Sequence, residues 1–222
     1  MDKKLLTLVI TIFSICNAYG EILIDQTVAI VGKQILTLRD ARIDHWVDSA
    51  LKNKKIVKSA DVSNEDLEKT IQTSVRRMLI NDYLRDVGLL NEIPKDRLKK
   101  LKDTFEKAFS TSQEMQSILA QLELTESDLN HLLQSRIRSE LFMDQHLAFR
   151  ANVTEKEIRD YYELEKHRRF LGKPFENVAN IVKADLQRDR IKKEFDKWLE
   201  AQTRRLEVIL LPLPQQGNSS MK

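Results

Sequence analysis

Two short strands run directly into a helix in the segment Asp25-Gln26-Thr27-Val28-Ala29-Ile30-Val31-Gly32-Lys33-Gln34-Ile35-Leu36-Thr37-Leu38-Arg39-Asp40. The β-branched run from Ile22 to Val31 predicts the first strand, and Gly32-Lys33 predicts a turn. Residues 34–36 return as a second short strand, and Thr37 suits the N-cap of a helix because its hydroxyl accepts a free backbone N–H group. Since a two-stranded hairpin alone is marginally stable in water, these strands require a partner from elsewhere in the chain.

The apolar segment near the C-terminus is the candidate partner. Leu206-Glu207-Val208-Ile209-Leu210-Leu211 alternates poorly and is rich in large apolar residues, so it predicts a strand that is buried on both faces. Pro212 and Pro214 end this strand, because proline cannot donate a backbone hydrogen bond. We therefore expect the two ends of the chain to meet in one small sheet.

The chain between these strands is expected to form about seven helices. Its 222 residues include only 5 glycines and 4 prolines, so turns are few, while the helix formers Leu, Lys, Glu, Gln and Arg are abundant. Caps and breakers predict helices from Thr37 to Asn53, Ser63 to Gly88, Lys95 through Phe109, Ser112 to Leu122, Thr125 to Arg150, Thr154 through Tyr162 and Phe175 to Arg205. The prediction is a mainly α fold, a multi-helix core with a small β-sheet formed by the N-terminal hairpin and the C-terminal strand.

Residues 1–20 have the three parts of a secretory signal. Lys3 and Lys4 supply the positive start, and Leu5 to Ile15 form an apolar stretch. Ala18-Tyr19-Gly20 places small residues where signal peptidase reads them, so we expect cleavage near Gly20 and export of the chain. The alternative interpretation of this segment is a buried N-terminal helix.

The lone cysteine, Cys16, lies inside that signal. Cleavage leaves a chain that relies on its core and not on disulfides, and a lipid anchor on Cys16 is the alternative, although Phe13-Ser14-Ile15 matches a lipoprotein signal poorly. No later segment has the length and apolar character of a membrane span, so no stable membrane insertion is expected. The predicted organisation is a signal peptide at 1–20, a helical core at 21–211 and a flexible polar tail at 212–222.

Residues that would carry chemistry do not form any recognisable motif. The histidines, His45, His131, His146 and His167, do not follow a metal-ligand spacing, and the sequence contains no nucleophile elbow or phosphate-binding loop. The net charge of +3 gives no strong field for nucleic acid. We therefore expect no catalytic residues, no metal and no cofactor, and a function based on binding.

Four segments, in this order, resemble the SurA-like periplasmic chaperones. The first is Asp25 to Thr37, and the second is Leu79-Ile80-Asn81-Asp82-Tyr83-Leu84 followed by Gly88. The third is the Leu-rich block that leads to Val153-Thr154-Glu155-Lys156-Glu157-Ile158-Arg159-Asp160-Tyr161-Tyr162, which is the most specific match. The fourth is Gly172-Lys173-Pro174-Phe175-Glu176-Asn177-Val178 with the later Trp198-Leu199. Together these segments cover nearly the whole chain after the signal.

The chain departs from that family at two places. Between Tyr162 and Phe175 there is room for a helix end and a turn, whereas an inserted domain needs at least about 50 residues. The parvulin-type isomerase domain is therefore expected to be missing. Leu122-Glu123-Leu124 also stands where the family often has glycine.

The resemblance implies a periplasmic holdase that binds unfolded outer-membrane or secreted proteins and has no isomerase activity. Methionine and aromatic residues suit a surface that adapts to many clients. The candidate peptide-binding residues are Met78, Met115, Ile118, Phe142, Met143 and Phe149. A dedicated adaptor or structural protein of an envelope assembly is the first alternative, and a peptidyl-prolyl isomerase is the second.

Overall fold

The structure is a computed structural model that describes residues 25–53, 62–89 and 93–213. This part of the chain is mainly helical with one small antiparallel sheet, so the predicted fold class is confirmed. The elements are β1 (Thr27–Val31), β2 (Gln34–Thr37), α1 (Leu38–Asn53), α2 (Asn64–Asp86), α3 (Lys95–Glu106), α4 (Ser112–Gln121), α5 (Glu126–Phe142), α6 (Glu155–Glu165), α7 (Phe175–Arg205) and β3 (Ile209–Leu210). The predicted signal peptide, with Cys16, and the tail beyond Leu213 lie outside the described residues.

The two ends of the chain meet in one sheet, as the sequence predicts. The strand order is β2-β1-β3, with both pairings antiparallel. Gly32 makes the hairpin turn at a φ of 57°, a conformation that glycine adopts without steric cost. The backbone N–H of Gly32 also donates to the carbonyl of Leu206 at 2.8 Å, which ties the turn to the end of α7.

The predicted burial of the C-terminal strand is wrong. β3 contains two residues, Ile209 and Leu210, and both are exposed. The reason is its place in the sheet, since among the described residues β3 pairs with β1 alone and forms the edge of the sheet.

The predicted end of the fifth helix is also corrected. The α-helix α5 stops at Phe142, and the chain continues as one π-helical segment, Met143–Leu147, and one 3-10 turn, Ala148–Ala151. A π-helical segment inserts extra backbone into a turn and changes the helix direction. After these two turns, Asn152 has an extended backbone and leads into the cap of α6.

Local capping explains why the helices begin where the sequence predicts. The hydroxyls of Ser63, Thr125 and Thr154 each accept a backbone N–H three residues on, and the last two form full capping boxes. In the capping box at α6, the pKa of Glu157 is lowered to about 2. The largest cause is the hydrogen bond from the backbone N–H of Thr154, and the second is the hydrogen bond from the guanidinium of Arg190. The carboxylate is therefore retained as an acceptor down to strongly acidic pH.

Two neighbouring clusters form the main core. One joins the sheet to α1 and α2, and the other joins α1 to α3, α4 and α5 around Trp46 and Phe105. α6 and the first half of α7 enclose a third, smaller cluster around Tyr162 and Val182. Along α7, Val178 and Val182 are buried, while the later apolar residues are half-buried: Leu186, Ile191, Phe195, Trp198 and Leu199.

A cluster of four charged side chains joins α1, α2 and α5, and three of them, Asp44, Arg77 and Arg136, are buried while Asp48 is half-buried. Arg136 donates to Asp48 at 2.7 Å and to Asp44 at 3.0 Å. Arg77 lies 3.0 Å from Asp44 and 3.3 Å from Asp48. Two carboxylates and two guanidiniums balance, so the cluster carries no net charge inside the helical core.

Leu171 adopts a strained backbone at the turn between α6 and α7. Its φ is 51°, a left-handed conformation that costs a non-glycine residue about 1 kcal/mol. Its side chain is 79% exposed and so makes little compensating contact. We expect Leu171→Gly to raise the free energy of unfolding by about 0.5–1 kcal/mol, measured by urea denaturation.

The neighbouring glycine supplies the matched control for that substitution. Gly172 has a φ of 74°, so Gly172→Ala introduces the strain that Leu171→Gly removes. We expect Gly172→Ala to lower stability by about 1 kcal/mol. A lower stability for Leu171→Gly would show that the leucine makes contacts that outweigh the strain.

Candidate functional site

Large apolar side chains are exposed on the sheet. In the register of the sheet, Ile30 pairs with Ile35 on one side and with Ile209 on the other. Residues paired directly across antiparallel strands lie on the same face, so these three isoleucines form a row across all three strands, here named the isoleucine row. Ile35 is 59% exposed and Ile209 is 51% exposed. The row therefore presents apolar surface to solvent.

An apolar groove follows the other side of β3. It has a volume of about 300 Å³ and lies between β3 and the first half of α2. Its floor includes Val28 and Ile71, and its rim includes Glu68 and Gln72. Leu210, which is 56% exposed, and the segment Leu211–Leu213 form its strand side. This cavity is named the edge groove.

The open edge of β3 has little capacity for further strand pairing. The N–H of Leu211 donates to the carbonyl of Val28 at 3.0 Å, so in an antiparallel pair the N–H and C=O of Leu210 point away from β1. The next outward position is Pro212, which has no N–H to donate. Proline at an outward position limits edge-to-edge association between copies of a protein. The exposed side chains here can therefore contact a partner without a long backbone ladder.

The six residues predicted to bind peptide do not lie together. Met78 packs against the cluster of the sheet, α1 and α2, whereas Met115 and Ile118 belong to the cluster around Trp46 and Phe105. Phe142 and Met143 lie in a fourth cluster, between α2, α5 and α7. Phe149 lies in the 3-10 turn, and its side chain is outside the described part of the structure.

Burial distinguishes the five of these residues whose side chains are described from the exposed residues of the sheet. Met115 and Phe142 are buried, and Met78, Ile118 and Met143 are partly buried. A client could reach the two buried side chains only after local opening of the core. Their role in binding stays a prediction, and the exposed residues of the sheet are the ones that the sequence analysis did not select.

A larger cavity, of about 490 Å³, lies between α1 and α5. Seven of its eleven lining residues are polar or charged, among them Asp40, Asp128 and His131. Arg39 and Glu123 form an ion pair of 3.0 Å beside it. Glu123 has a φ of 53°, which explains physically why glycine suits this position. The polar lining makes this cavity a poorer match for an apolar chain than the edge groove.

Within residues 25–53, 62–89 and 93–213, no three His, Cys, Asp or Glu side chains are placed to hold a metal ion. Within the same residues, no helix is both long enough and apolar enough to cross a membrane.

Compared with known families and curated proteins, the chain matches no family model and no curated sequence. Its candidate site therefore rests on its own geometry. One signal in the sequence could have indicated the exposed strand, because Pro212 and Pro214 at alternate positions are typical of an edge strand and not of a buried one.

Proposed function

We propose that this protein is a periplasmic chaperone that holds unfolded outer-membrane or secreted polypeptides and does not isomerise prolyl bonds. The observation that carries the proposal is the apolar surface formed by the isoleucine row and the edge groove. Exposed apolar patches beside a groove are typical of sites that bind other polypeptides. The predicted export signal and the resemblance to SurA-like chaperones support the location.

The shape of this surface supports reversible binding. The isoleucine row contributes side chains, while β3 offers few outward backbone groups before Pro212. Apolar contact is non-directional, so it tolerates clients of different sequence. Release of the client then needs no nucleotide, because the client is not held by a long series of backbone hydrogen bonds to β3.

The short connection between α6 and α7 supports the absence of isomerase activity. Residues 166–174 join the two helices, and Tyr162 donates a hydrogen bond to the carbonyl of Lys173 at 2.6 Å within that connection. An inserted domain of at least about 50 residues has no place there. We expect residues 21–222 to leave the isomerisation rate of a proline-containing peptide unchanged.

The holdase activity is tested by aggregation of diluted, urea-unfolded clients. We expect residues 21–222, at sub-stoichiometric to equimolar amounts, to suppress light scattering by an outer-membrane barrel protein and by an unrelated soluble protein. If the aggregation of both clients is unchanged, the result contradicts the proposal and favours a dedicated adaptor of an envelope assembly. In that case a pull-down from the envelope fraction would identify the partner.

The position of the site is tested with two matched double variants. Ile209→Ser with Leu210→Ser removes apolar surface from β3, and we expect about tenfold or more weaker suppression because each buried aliphatic side chain contributes about 1.5–3 kcal/mol. Leu164→Ser with Leu171→Ser is the control, since these leucines are 78% and 79% exposed on the α6–α7 unit. Equal loss of activity in both variants would show that binding follows total apolar surface and not the sheet.

A further inference from the structure

Among the described residues, the two most exposed large apolar side chains lie at the end where α6 connects to α7. Leu164 is 78% exposed in the last turn of α6, and Leu171 is 79% exposed in the connection. The backbone N–H of Gly172 donates to the carbonyl of Lys166 at 2.9 Å, which folds the connection back onto the end of α6. Both leucines therefore belong to one small region, residues 163–173, here named the α6–α7 tip.

The fold holds the α6–α7 tip away from the sheet. Among the described elements, α6 packs extensively against α7 alone. α7 has 31 residues, and a helix of that length spans about 46 Å. The tip adjoins the start of α7 at Phe175, whereas Leu206, just after its last residue, is bonded to Gly32 in the turn of the sheet. The tip and the isoleucine row therefore lie toward opposite ends of α7.

The α6–α7 tip has more positive than negative charge at its surface. Its four cations, against two glutamates, are Lys166, Arg168, Arg169 and Lys173. The side chain of Arg168 is 82% exposed, whereas that of its partner Glu165 is 10% exposed. Asp185 of α7 pairs with Arg169 and with Arg188 and is also buried. Glu163, which lies 3.8 Å from Lys166, is the exposed carboxylate of the tip, so a partner meets mainly cations.

The backbone of Leu171 gives this residue a cost that contacts within the chain do not offset. Its φ of 51° is strained for leucine, and its side chain gains little from the rest of the protein. Strained residues cluster at sites where the strain accompanies a function. A glycine at this position would remove the strain, as it does at the next position. Leucine therefore lowers stability here and gains contact only when a partner covers it.

We propose that the α6–α7 tip docks onto the surface of a membrane that contains anionic lipids. The two exposed leucines enter the boundary between headgroups and acyl chains, while the neighbouring lysines and arginines bind the lipid phosphates. A projecting tip fits a deformable lipid surface, whereas a folded polypeptide partner would have to supply a matching concave site. This contact is peripheral, and it leaves the isoleucine row free to bind clients.

Docking is tested by sedimentation of residues 21–222 with vesicles, since the apolar segment before them would itself bind lipid. We expect binding to vesicles of two parts phosphatidylcholine and one part phosphatidylglycerol, weakened by salt, and no binding to phosphatidylcholine alone. Leu164→Ser with Leu171→Ser should weaken the binding about tenfold. Ile209→Ser with Leu210→Ser is the matched control and should bind as wild type does. Absence of binding to both kinds of vesicle, or equal loss in both double variants, would overturn the proposal.

A variant that is more stable than wild type separates docking from folding. Leu171→Gly removes the strain and is expected to raise stability, yet it should weaken vesicle binding about three- to tenfold because an apolar side chain is lost. Arg168→Gln with Lys173→Gln should weaken binding about tenfold or more, since each cation near an anionic surface contributes to affinity. Unchanged binding in both of these variants would overturn the proposal. Binding of wild type to polyglutamate but not to vesicles would also overturn it, in favour of an acidic polypeptide partner.

Discussion

Replacing Arg136 with methionine should lower the free energy of unfolding by about 3–5 kcal/mol, because removal of one partner leaves buried charge uncompensated. The guanidinium of Arg136 bonds both Asp44 and Asp48 and also donates to the carbonyl of Leu132 at 2.8 Å. Without it, the two carboxylates share Arg77 alone. Since small domains are stabilised by about 5–15 kcal/mol in total, urea denaturation should show a large fall in midpoint.

The pH dependence of this effect has a definite sign. Burial raises the pKa of Asp44, but the charges of Arg136 and Arg77 with the hydrogen bonds of Ser74 and Arg136 outweigh it, so the pKa lies below its ordinary value. The stabilisation is therefore present above pH of about 4 and is lost as pH falls below it. The stability difference between wild type and Arg136→Met should shrink in that range, because protonation of the Asp44 carboxyl removes its uncompensated buried charge.

An exposed ion pair supplies the control for Arg136→Met. Arg204 pairs with Glu200 one turn earlier at 3.0 Å on the exposed side of α7. Exposed pairs of this kind contribute about 0.5 kcal/mol or less, so Arg204→Met should leave the unfolding midpoint nearly unchanged. Similar small losses in both variants would show that the buried cluster is not a stabilising element.

Replacing Phe105 with alanine should also cost about 3–5 kcal/mol, the range for a buried phenylalanine. Phe105 is fully buried and is the one buried residue of α3. Its ring lies 5.3 Å from that of Trp46 and 5.2 Å from that of Phe109. α3 therefore depends on this side chain for its docking onto α1, and urea denaturation of the variant measures the loss.

Hydrogen exchange should locate the effect of Phe105→Ala. We expect the amides of α3 to lose protection first. In wild type, local opening of α3 costs the free energy of exposing the Phe105 ring, and in the variant this cost is absent. Phe105→Leu is the matched control and should recover most of the stability, since it keeps a large apolar side chain at the same place. A loss below about 1 kcal/mol for Phe105→Ala would mean that the neighbouring rings close the cavity.

Helix starts were predictable because their determinants are local. Thr37 with Asp40, Ser63 with Asp66 and Thr154 with Glu157 each form bonds between residues three apart, so a short window of sequence contains all the partners. The start of α7 at Phe175 follows Pro174 in the same way. The early end of α5 was not predictable, because the π-helical segment at Met143 meets no sequence breaker and depends on packing against α2 and α7.

The position of the exposed apolar surface was not predictable from helical patterns. The residues chosen from helical stripes include Met115 and Phe142, which are buried. Helical spacing shows which residues share a face, and it does not show whether another element covers that face. Only the strand order β2-β1-β3 leaves Ile209 and Leu210 at an uncovered edge.

Sequence alone was sufficient for the mainly α class, for the side-chain caps at Thr37, Ser63, Thr125 and Thr154, and for the meeting of the two chain ends in one sheet. Each of these depends on residues close together in the chain or on strands that lack a local partner. The tertiary structure alone decided which apolar residues are exposed and that Asp48 and the buried Asp44, Arg77 and Arg136 form one charged cluster. Burial and charge pairing depend on contacts between residues separated by 29 to 92 positions, and those contacts exist only once the helices have packed.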